Sequence, residues 1–353
     1  MDAVVARRGA TTPTVIDVPR PEPGPGEALV RTLRVGVDGT DREVLAGTHG
    51  GFPDDEDYLI LGHEAVGVVV DPNGTSLTAG DIVVPTVRRL PATGTNDYFE
   101  RGQADMAPPS MCRERGIDGA HGFMAEYFTS PAETLVEIPE SLAPLGFLVE
   151  PVSISEKAIE HASASRSAFD WQPESALVLG NGPLGLVTLA MLDGYDRTYC
   201  VGRRDRPDPT IDIIERLGAT YVDSRETPVE SFPTVHEPAD FVYEATGHAK
   251  HAIETVAALA PGGVGALLGV PESWAFEVDG GDFHKDMVMN NKALVGSVNS
   301  SAAHFRAAAD RLTGFPTWFT EALVTDVVGV EAAAEAFAND ERTIKTAVEF
   351  DTL

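Results

Sequence analysis

Positively charged residues, and lysine above all, are scarce in this chain. Its 353 residues include 26 lysines and arginines, only five of them lysine, against 55 aspartates and glutamates, and the formal net charge is −29. A chain this acidic has no basic surface for a phosphate backbone, which disfavours nucleic-acid binding. The acids are spread among glycine turns and apolar strands, so the pattern indicates a folded, halophilic protein adapted to a saturated-salt interior. An acidic but ordinary cytoplasmic protein is the alternative.

Cysteines and long apolar runs are also nearly absent. The two cysteines, Cys112 and Cys200, give no disulfide framework. Cys200 lies in a predicted buried strand, where a free thiol packs as a small apolar residue. No segment approaches about eighteen uninterrupted apolar residues, and the first residues lack the basic flank of a signal peptide. We therefore expect a soluble cytoplasmic protein that does not bind membranes.

Residues 176–185, Ala-Leu-Val-Leu-Gly-Asn-Gly-Pro-Leu-Gly, predict a buried strand, a glycine turn and the start of a helix. The glycines have the spacing G-x-G-x-x-G: the first allows the turn, the second lets a pyrophosphate approach, and the third lets the helix pack on the strand. The helix N-terminus would then face the phosphates. The predicted cofactor contacts here are Gly180, Gly182, Pro183, Leu184 and Gly185.

The next predicted strand, 198–201, ends at Gly202-Arg203-Arg204, where an NAD-specific site usually has Asp or Glu. An acidic residue would repel a ribose 2′-phosphate, whereas two guanidiniums offer it hydrogen-bond donors. These three residues therefore predict NADP as the preferred cofactor, with NAD used more weakly. An ordinary βα turn followed by a solvated arginine pair is the alternative.

The two parts of the chain differ in pattern. Residues 1 to about 85 contain short β-branched runs separated by Pro and Gly, typical of a mainly antiparallel β domain. From about residue 156 helices and strands alternate, which predicts an α/β domain with a doubly wound parallel sheet. Its fifth and last strands are predicted at 266–270 and 292–299. We predict a first domain at 1–155, completed by about 300–353, and a Rossmann domain at 156–299.

Two segments of the first domain, Gly36-Val37-Asp38-Gly39-Thr40-Asp41 and Leu61-Gly62-His63-Glu64-Ala65-Val66-Gly67, contain clustered polar residues. They resemble the G-x-C-G-T-D and G-H-E segments of the zinc-dependent medium-chain alcohol and polyol dehydrogenases, in the same order and at a similar separation. Residues 119–127 resemble that family's glycine-rich strand entry, and residues 148–151, Leu-Val-Glu-Pro, its third metal-ligand segment. With its acidity, Asp38, Glu150 and the pair Arg203-Arg204, the chain resembles the branch of this family that oxidises glucose in extremely halophilic archaea.

The resemblance implies a GroES-like catalytic domain with three zinc ligands, Asp38, His63 and Glu150. Glu64 would be a neighbouring group or an exchangeable ligand, and Thr40 would pass the proton of the substrate hydroxyl outward. Asp38 stands where the family usually has cysteine, so every ligand is N or O, which zinc accepts and other divalent ions also tolerate. Glu43 stands where many members have a histidine at the outer end of the proton relay.

The resemblance also implies the reaction, which is oxidation of an aldose, first of all D-glucose, at C1 to the lactone with hydride transfer to NADP. The residues expected to hold sugar hydroxyls are Glu64, Glu114, Glu150 and Asn299. Those expected near the nicotinamide are Thr246, Ser297 and Asn299, although a simple strand-to-helix turn around Thr246 is an alternative. We expect a homodimer or a homotetramer.

One segment departs from the family pattern. Relatives usually have four cysteines between Pro85 and Arg115 that hold a structural zinc, and this chain has only Cys112 there. Asp97, Asp105 and Glu114 do not replace four thiolates. We expect the lobe to be present without that metal.

Two other functions remain open from the sequence. A metal-free NADPH-dependent quinone or enoyl reductase of the same superfamily would not need Asp38, His63, Glu64 and Glu150 together. A non-catalytic NADP-binding protein would need only the Rossmann residues. Zinc-dependent turnover distinguishes the three.

Overall fold

A computed structural model describes residues 1–91, 96–338, 340 and 342–353. The chain divides into two compact units, one formed by Met1–Ser153 with Asn299–Leu353 and the other by Ile154–Val298. Within the described ranges, no helix combines the length and the hydropathy of a membrane span.

The strands and helices follow one another along the chain with these bounds. The strands are β1 (Asp2–Arg7), β2 (Thr14–Asp17), β3 (Glu27–Val37), β4 (Tyr58–Ile60), β5 (Glu64–Asp71), β6 (Ile82–Pro85), β7 (Arg88–Arg89), β8 (Arg113–Arg115), β9 (Gly119–Ala120), β10 (Tyr127–Pro131), β11 (Leu135–Glu137), β12 (Ser175–Leu179), β13 (Arg197–Gly202), β14 (Thr220–Asp223), β15 (Ala239–Glu244), β16 (Leu259–Leu267), β17 (Ala293–Gly296), β18 (Val324–Gly329) and β19 (Lys345–Glu349). The α-helices are α1 (Gly39–Ala46), α2 (Asp97–Glu100), α3 (Val149–Ala164), α4 (Pro183–Met191), α5 (Pro209–Arg216), α6 (Phe232–Val235), α7 (His251–Ala258), α8 (Gly280–Met289), α9 (Ala302–Thr313), α10 (Thr317–Leu323) and α11 (Ala333–Ala336).

The first unit is mainly β, as predicted from its short β-branched runs. Its largest sheet has the order β11-β6-β5-β3-β19-β18, and β10 also pairs with β3. Strand β3 lies between β5 and β19, so most of its residues are buried. Its carboxyl end and the start of β5 are paired, Gly36 opposite Glu64, which brings the two polar segments of the sequence to one place. Strands β7, β8 and β9 form a separate small sheet.

The second unit contains a parallel sheet with the order β14-β13-β12-β15-β16-β17. The strand order reverses between β12 and β15, which is the topology of a Rossmann domain, with its binding crevice at the carboxyl ends of the strands. All five residues of β12 are buried, and Leu177, Val201, Phe232 and Val242 pack in one core cluster. The predicted fold class, a doubly wound parallel sheet together with a mainly antiparallel β domain, is confirmed.

Two of the strands predicted above differ from their predicted bounds by more than one residue at an end. Strand β16 runs through Pro261-Gly262-Gly263 and ends at Leu267, whereas the prediction began at 266 because that Pro-Gly stretch is typical of a turn. Val270, placed in the strand by its apolar character, is 66% exposed. Strand β17 ends at Gly296, and Asn299 has φ 57°, a left-handed conformation that a strand does not continue through.

Candidate active site

Asp38 follows β3 directly and begins helix α1. Its Oδ1 accepts a hydrogen bond from the backbone N of Asp41 at 2.9 Å, and its own backbone N donates to Asp41 Oδ2 at 3.1 Å. This reciprocal pair is a capping box, which satisfies amides that the first turn of a helix leaves without partners. The second carboxylate oxygen, Oδ2, lies 3.6 Å from His63 Nε2. Asp38 therefore caps the helix with one oxygen and faces His63 with the other.

The other sequence-predicted metal residues converge on the same point. His63 immediately precedes β5, Glu64 is the first residue of β5, and Glu150 lies in the first turn of α3, all three buried. One ligating atom each of His63, Glu64 and Glu150 lies within 4.8 Å of the other two. Asp38 and Asp41 form an equally close group with His63. Residues far apart in the sequence thus form one cluster of nitrogen and oxygen donors.

Negative charge exceeds positive charge in this cluster. Four carboxylates stand against one imidazole and one ammonium group: Asp38, Asp41, Glu64 and Glu150 against His63 and Lys345. Burial raises the pKa of Glu150 to about 8, and the nearby Glu64 and Asp38 act in the same direction while His63 opposes them. Burial lowers the pKa of His63, but Asp38 and Asp41 outweigh it and raise that pKa well above its usual value. Without a cation, the cluster retains protons.

A divalent cation fits this donor set. Bound zinc keeps its ligands at about 2.0–2.1 Å in a tetrahedron, so neighbouring ligand atoms are about 3.4 Å apart. The separation of 3.6 Å between Asp38 Oδ2 and His63 Nε2 is close to that value. An all-N,O set accepts zinc and also tolerates other divalent ions.

Asp41 belongs to the support of this cluster, and the sequence analysis missed it. Its Oδ2 accepts from the backbone N of Asp38 and its Oδ1 from the backbone N of Gly62 at 3.2 Å. Oδ1 also lies 3.6 Å from His63 Nδ1, beyond hydrogen-bond distance but on the far side of the ring from Asp38. Two backbone amides therefore fix the Asp41 carboxylate next to the His63 ring, and His63 Nδ1 makes no hydrogen bond with the described residues.

Lys345 is the second residue that the sequence analysis missed. It is 1% exposed, its Nζ contacts Glu64 Oε2, and it donates to the carbonyl of Val37 at 3.2 Å. Gly36 makes this contact possible, because a Cβ there would lie 2.1 Å from Glu64 Oε2. A lysine in a short strand of a chain with only five lysines was the available signal.

Thr40 and Glu43, the residues expected along the proton relay, both lie in α1. Thr40 is half-buried in the first turn, two residues after Asp38, and Glu43 is exposed one turn further on.

Two of the predicted sugar-binding residues, Glu114 and Asn299, are brought together in the first unit. The side-chain amide of Asn299 donates from Nδ2 to Glu114 Oε1 at 3.3 Å. Arg88 donates to the same oxygen from Nε at 2.9 Å. In the described part of the lobe between Pro85 and Arg115, no three metal-ligating side chains converge.

The predicted cofactor turn lies between β12 and α4. Gly180 has φ 112°, a conformation that favours glycine, and a Cβ at Gly185 would lie 1.9 Å from the carbonyl of Gly180. A Cβ at Gly182 would meet no atom within 4 Å, so the backbone there is open to a ligand. Pro183 opens α4, with Leu184 next to it.

The residues after β13 form an arginine-rich edge. Gly202 has no room for a side chain, since a Cβ would lie 2.7 Å from the Asn181 side chain. Arg203 is exposed, and Arg204 is half-buried with its Nε 3.9 Å from Asp208 Oδ2. Arg225, which the sequence analysis did not single out, pairs with Asp205 and Asp223 and so offsets two carboxylates beside this edge.

The two nicotinamide-side residues of the second unit differ in environment. Thr246 is exposed, and its backbone N and Oγ1 both donate to the buried carboxylate of Glu244, at 2.8 and 2.5 Å. Ser297 is buried, and its Oγ has no hydrogen-bond partner among the described residues. Glu244 therefore holds the loop after β15, and Ser297 Oγ is available to a ligand.

Comparison with known proteins adds the family. Residues 24–140 match the family described as "Alcohol dehydrogenase GroES-like domain", and residues 143–350 match "Glucose dehydrogenase C-terminus". The chain is 68% identical to the glucose 1-dehydrogenase of Haloferax mediterranei, covering all of both chains. The solved structure of Haloferax mediterranei glucose dehydrogenase in complex with NADP, Zn and gluconolactone has a TM-score of 0.99 at 67% identity, again over both full chains.

A structure of the D38C mutant of that Haloferax enzyme matches equally over both full chains, with a TM-score of 0.98 at 67% identity. From these matches over its whole length, the chain belongs to the glucose dehydrogenase family of GroES-like, medium-chain alcohol dehydrogenases.

Proposed function

We propose that this chain is a zinc-dependent glucose dehydrogenase that oxidises D-glucose at C1 to the lactone and transfers the hydride to NADP. The observation that carries the proposal is the buried N,O cluster around His63, present in one chain with a Rossmann turn followed by two arginines. The Haloferax relative, 67% identical over its full length, binds NADP, Zn and gluconolactone.

Asp38, His63 and Glu150 would hold the zinc. Asp38 is suited to this because one of its oxygens is occupied by the helix cap while the other faces His63 Nε2. Zinc supplies Lewis acidity that makes a sugar hydroxyl easier to deprotonate. We assign the outward transfer of that proton to the Thr40 hydroxyl. Glu64, held by Lys345 at the edge of the cluster, would be a neighbouring catalytic group that also contacts the sugar.

Four polar side chains would orient the sugar, namely Glu64, Glu114, Glu150 and Asn299. Carboxylates accept hydrogen bonds from hydroxyl groups, and an amide both donates and accepts. The pair formed by Glu114 and Asn299 supports this assignment, because both side chains are already oriented before a ligand arrives.

NADP would bind along the turn from Gly180 to Gly185, where the open backbone at Gly182 and the N-terminus of α4 suit a pyrophosphate. Arg203 and Arg204 would bind the 2′-phosphate. Thr246, Ser297 and Asn299 would lie towards the nicotinamide.

The deciding experiment is a panel of aldoses and simple alcohols, each assayed with NADP and with NAD in molar KCl. Glucose with NADP should give the highest kcat/KM, and a chelator should abolish turnover until zinc is restored. A quinone or enoyl reductase would keep its activity after chelation, and a non-catalytic NADP-binding protein would turn over none of the substrates. Light scattering in the same salt tests our expectation of a homodimer or homotetramer.

A further inference from the structure

A buried guanidinium lies at the centre of the small lobe that follows β6. Arg88, in β7, is 4% exposed. Its Nη1 donates to the carbonyls of Asp105 at 2.7 Å and Ala107 at 2.9 Å, and its Nε donates to Glu114 Oε1 at 2.9 Å. One side chain therefore joins β7 to the turn at 104–107 and to β8.

Arginine is suited to this position in a way that lysine is not. Its donors are fixed in one plane, so Nη1 and Nε reach the turn and the carboxylate at the same time, whereas an ammonium group is a single point of charge. The buried positive charge is paired with the carboxylate of Glu114, as a buried charge must be. Arg88 and Glu114 are also direct partners in the β7–β8 ladder, so their side chains leave the sheet on the same face.

The geometry leaves Glu114 with one fixed oxygen and one open oxygen. Oε1 accepts from both Arg88 Nε and Asn299 Nδ2. Oε2 accepts no hydrogen bond from the residues that the structure describes, and the side chain is 19% exposed. A carboxylate held through one oxygen presents the other as an oriented acceptor, so a ligand that binds it loses little conformational entropy.

We propose that Arg88 is the positioning residue of the sugar subsite, which fixes Glu114 through Oε1 so that Oε2 accepts a hydrogen bond from a sugar hydroxyl. The inference rests on the proposed function, in which Glu114 and Asn299 contact the sugar. Arg88 itself does not touch the substrate.

The first test compares Arg88→Met and Arg88→Lys with a matched control. Because the oriented hydrogen bond to a charged group is lost, KM for glucose should rise on the order of tenfold or more in both variants. The kcat at saturating glucose and KM for NADP should stay near the wild-type values. Arg113→Met is the control, because Arg113 lies in the same lobe, packs beside Gly119 and donates to the carbonyl of Cys112 at 3.4 Å, but does not hydrogen-bond Glu114. KM for glucose should not change in this variant.

The second test is a cycle with Glu114→Gln. In the single variant, the Arg88 donor keeps the amide oxygen at its own side, so the amide NH2 points to the sugar and KM rises. Adding Arg88→Met removes the shorter of the two hydrogen bonds to that oxygen and leaves only the 3.3 Å one from Asn299. The amide can then rotate more easily and offer its oxygen to the sugar, so the double variant should have a lower KM than the two separate effects predict. A purely structural role for Arg88 predicts additive effects together with losses in kcat and in NADP binding.

The outcomes separate the inference from the proposed function. A wild-type protein that oxidises no aldose overturns the proposed function. An active wild type in which Arg88→Lys and Arg88→Met leave KM for glucose unchanged overturns the inference alone. If Arg88→Met fails to fold, the cycle between Arg88→Lys and Glu114→Gln decides, and additive effects there refute the positioning role.

Discussion

Replacing Lys345 by methionine tests the charge balance of the candidate metal cluster most directly. Methionine keeps an unbranched side chain of similar length but removes the ammonium group that contacts Glu64 and the carbonyl of Val37. Glu64 is then a buried carboxylate, 2% exposed, that has lost its cation. Removing one partner of a buried ion pair usually costs about 3–5 kcal/mol.

Protonation sets an upper limit on this cost. Glu64 can escape the penalty by taking up a proton, and one pKa unit corresponds to about 1.36 kcal/mol. Bringing a carboxyl with an ordinary pKa of 4.5 to the neutral form at pH 7 therefore costs about 3 kcal/mol. We expect Lys345→Met to lower the free energy of unfolding of the metal-free protein by about 3 kcal/mol at pH 7, the lower end of the usual range.

The chain offers a matched control in Lys292. Its Nζ also pairs with a carboxylate, Asp286 at 2.9 Å, and donates to a backbone carbonyl, Val256 at 2.8 Å. Asp286 is 31% exposed and can be rehydrated when the lysine is removed. Lys292→Met should therefore cost about 1 kcal/mol or less through its ion pair.

Denaturant unfolding followed by circular dichroism in molar KCl measures both variants. The cycle between Lys345→Met and Glu64→Gln isolates the pair, because the neutral amide removes the buried charge that Lys345 offsets. Zinc should reduce the penalty of Lys345→Met, since a bound dication can neutralise Glu64 in place of the ammonium group. A coupling free energy near zero, or equal penalties for Lys345→Met and Lys292→Met, would refute the reasoning.

Four further results are expected. Asp38→Ala should lose bound zinc and activity together, and losing the helix cap should also cost about 0.5–2 kcal/mol of stability. Asp38→Cys should keep metal and activity. Elemental analysis that finds full zinc in an active Asp38→Ala enzyme would remove Asp38 from the site. Replacing Arg203 and Arg204 by alanine should raise KM for NADP, because each lost charge-assisted hydrogen bond weakens binding by about 1.5–3 kcal/mol. NAD kinetics should stay unchanged, and equal losses with both cofactors would contradict the 2′-phosphate assignment. In the metal-free protein, Glu150 has a pKa of about 8 in the folded state and 4.5 in the unfolded state. Its contribution to stability is therefore complete below pH 4.5 and is lost as the pH rises to about 8. The variant Glu150→Gln should make the melting temperature depend less on pH over this range. With a net charge of −29, folding should fail on dilution from molar to millimolar KCl as screening is lost, and circular dichroism unchanged for days at low salt would contradict the halophilic interpretation.

Most of the five lysines of this chain lie inside the protein and not on its surface. Lys157 and Lys345 are buried, and the Lys292 side chain is 6% exposed. Each of the three donates from Nζ to a backbone carbonyl, and Lys292 and Lys345 also pair with a carboxylate. Three of the five lysines in this acidic chain therefore have their partners inside the protein. This is why Lys345, which composition alone would not have selected, is the first residue to test.

Features that depend on neighbouring residues could be predicted from the sequence. The strand, glycine turn and helix at 176–191 follow from apolar continuity, glycine spacing and a proline at the first helical position, all within one short segment. The alternation of helices and strands predicted the parallel sheet, and the fold class is confirmed. The resemblance in the segments around Asp38, His63 and Glu150 predicted the family, which the comparisons establish. The individual roles of the site residues stay predictions.

Only the tertiary structure decided which groups support that site. Lys345 meets Glu64 because β3 lies between β5 and β19, and Gly36 in β3 leaves space for the carboxylate. Arg88 meets Glu114 through the pairing of β7 with β8, and Asn299 reaches the same oxygen from the far end of the chain. Local sequence patterns record backbone conformation and burial, because those depend on neighbouring residues. They do not record which buried charges face each other, because that depends on strand order and on contacts between distant segments.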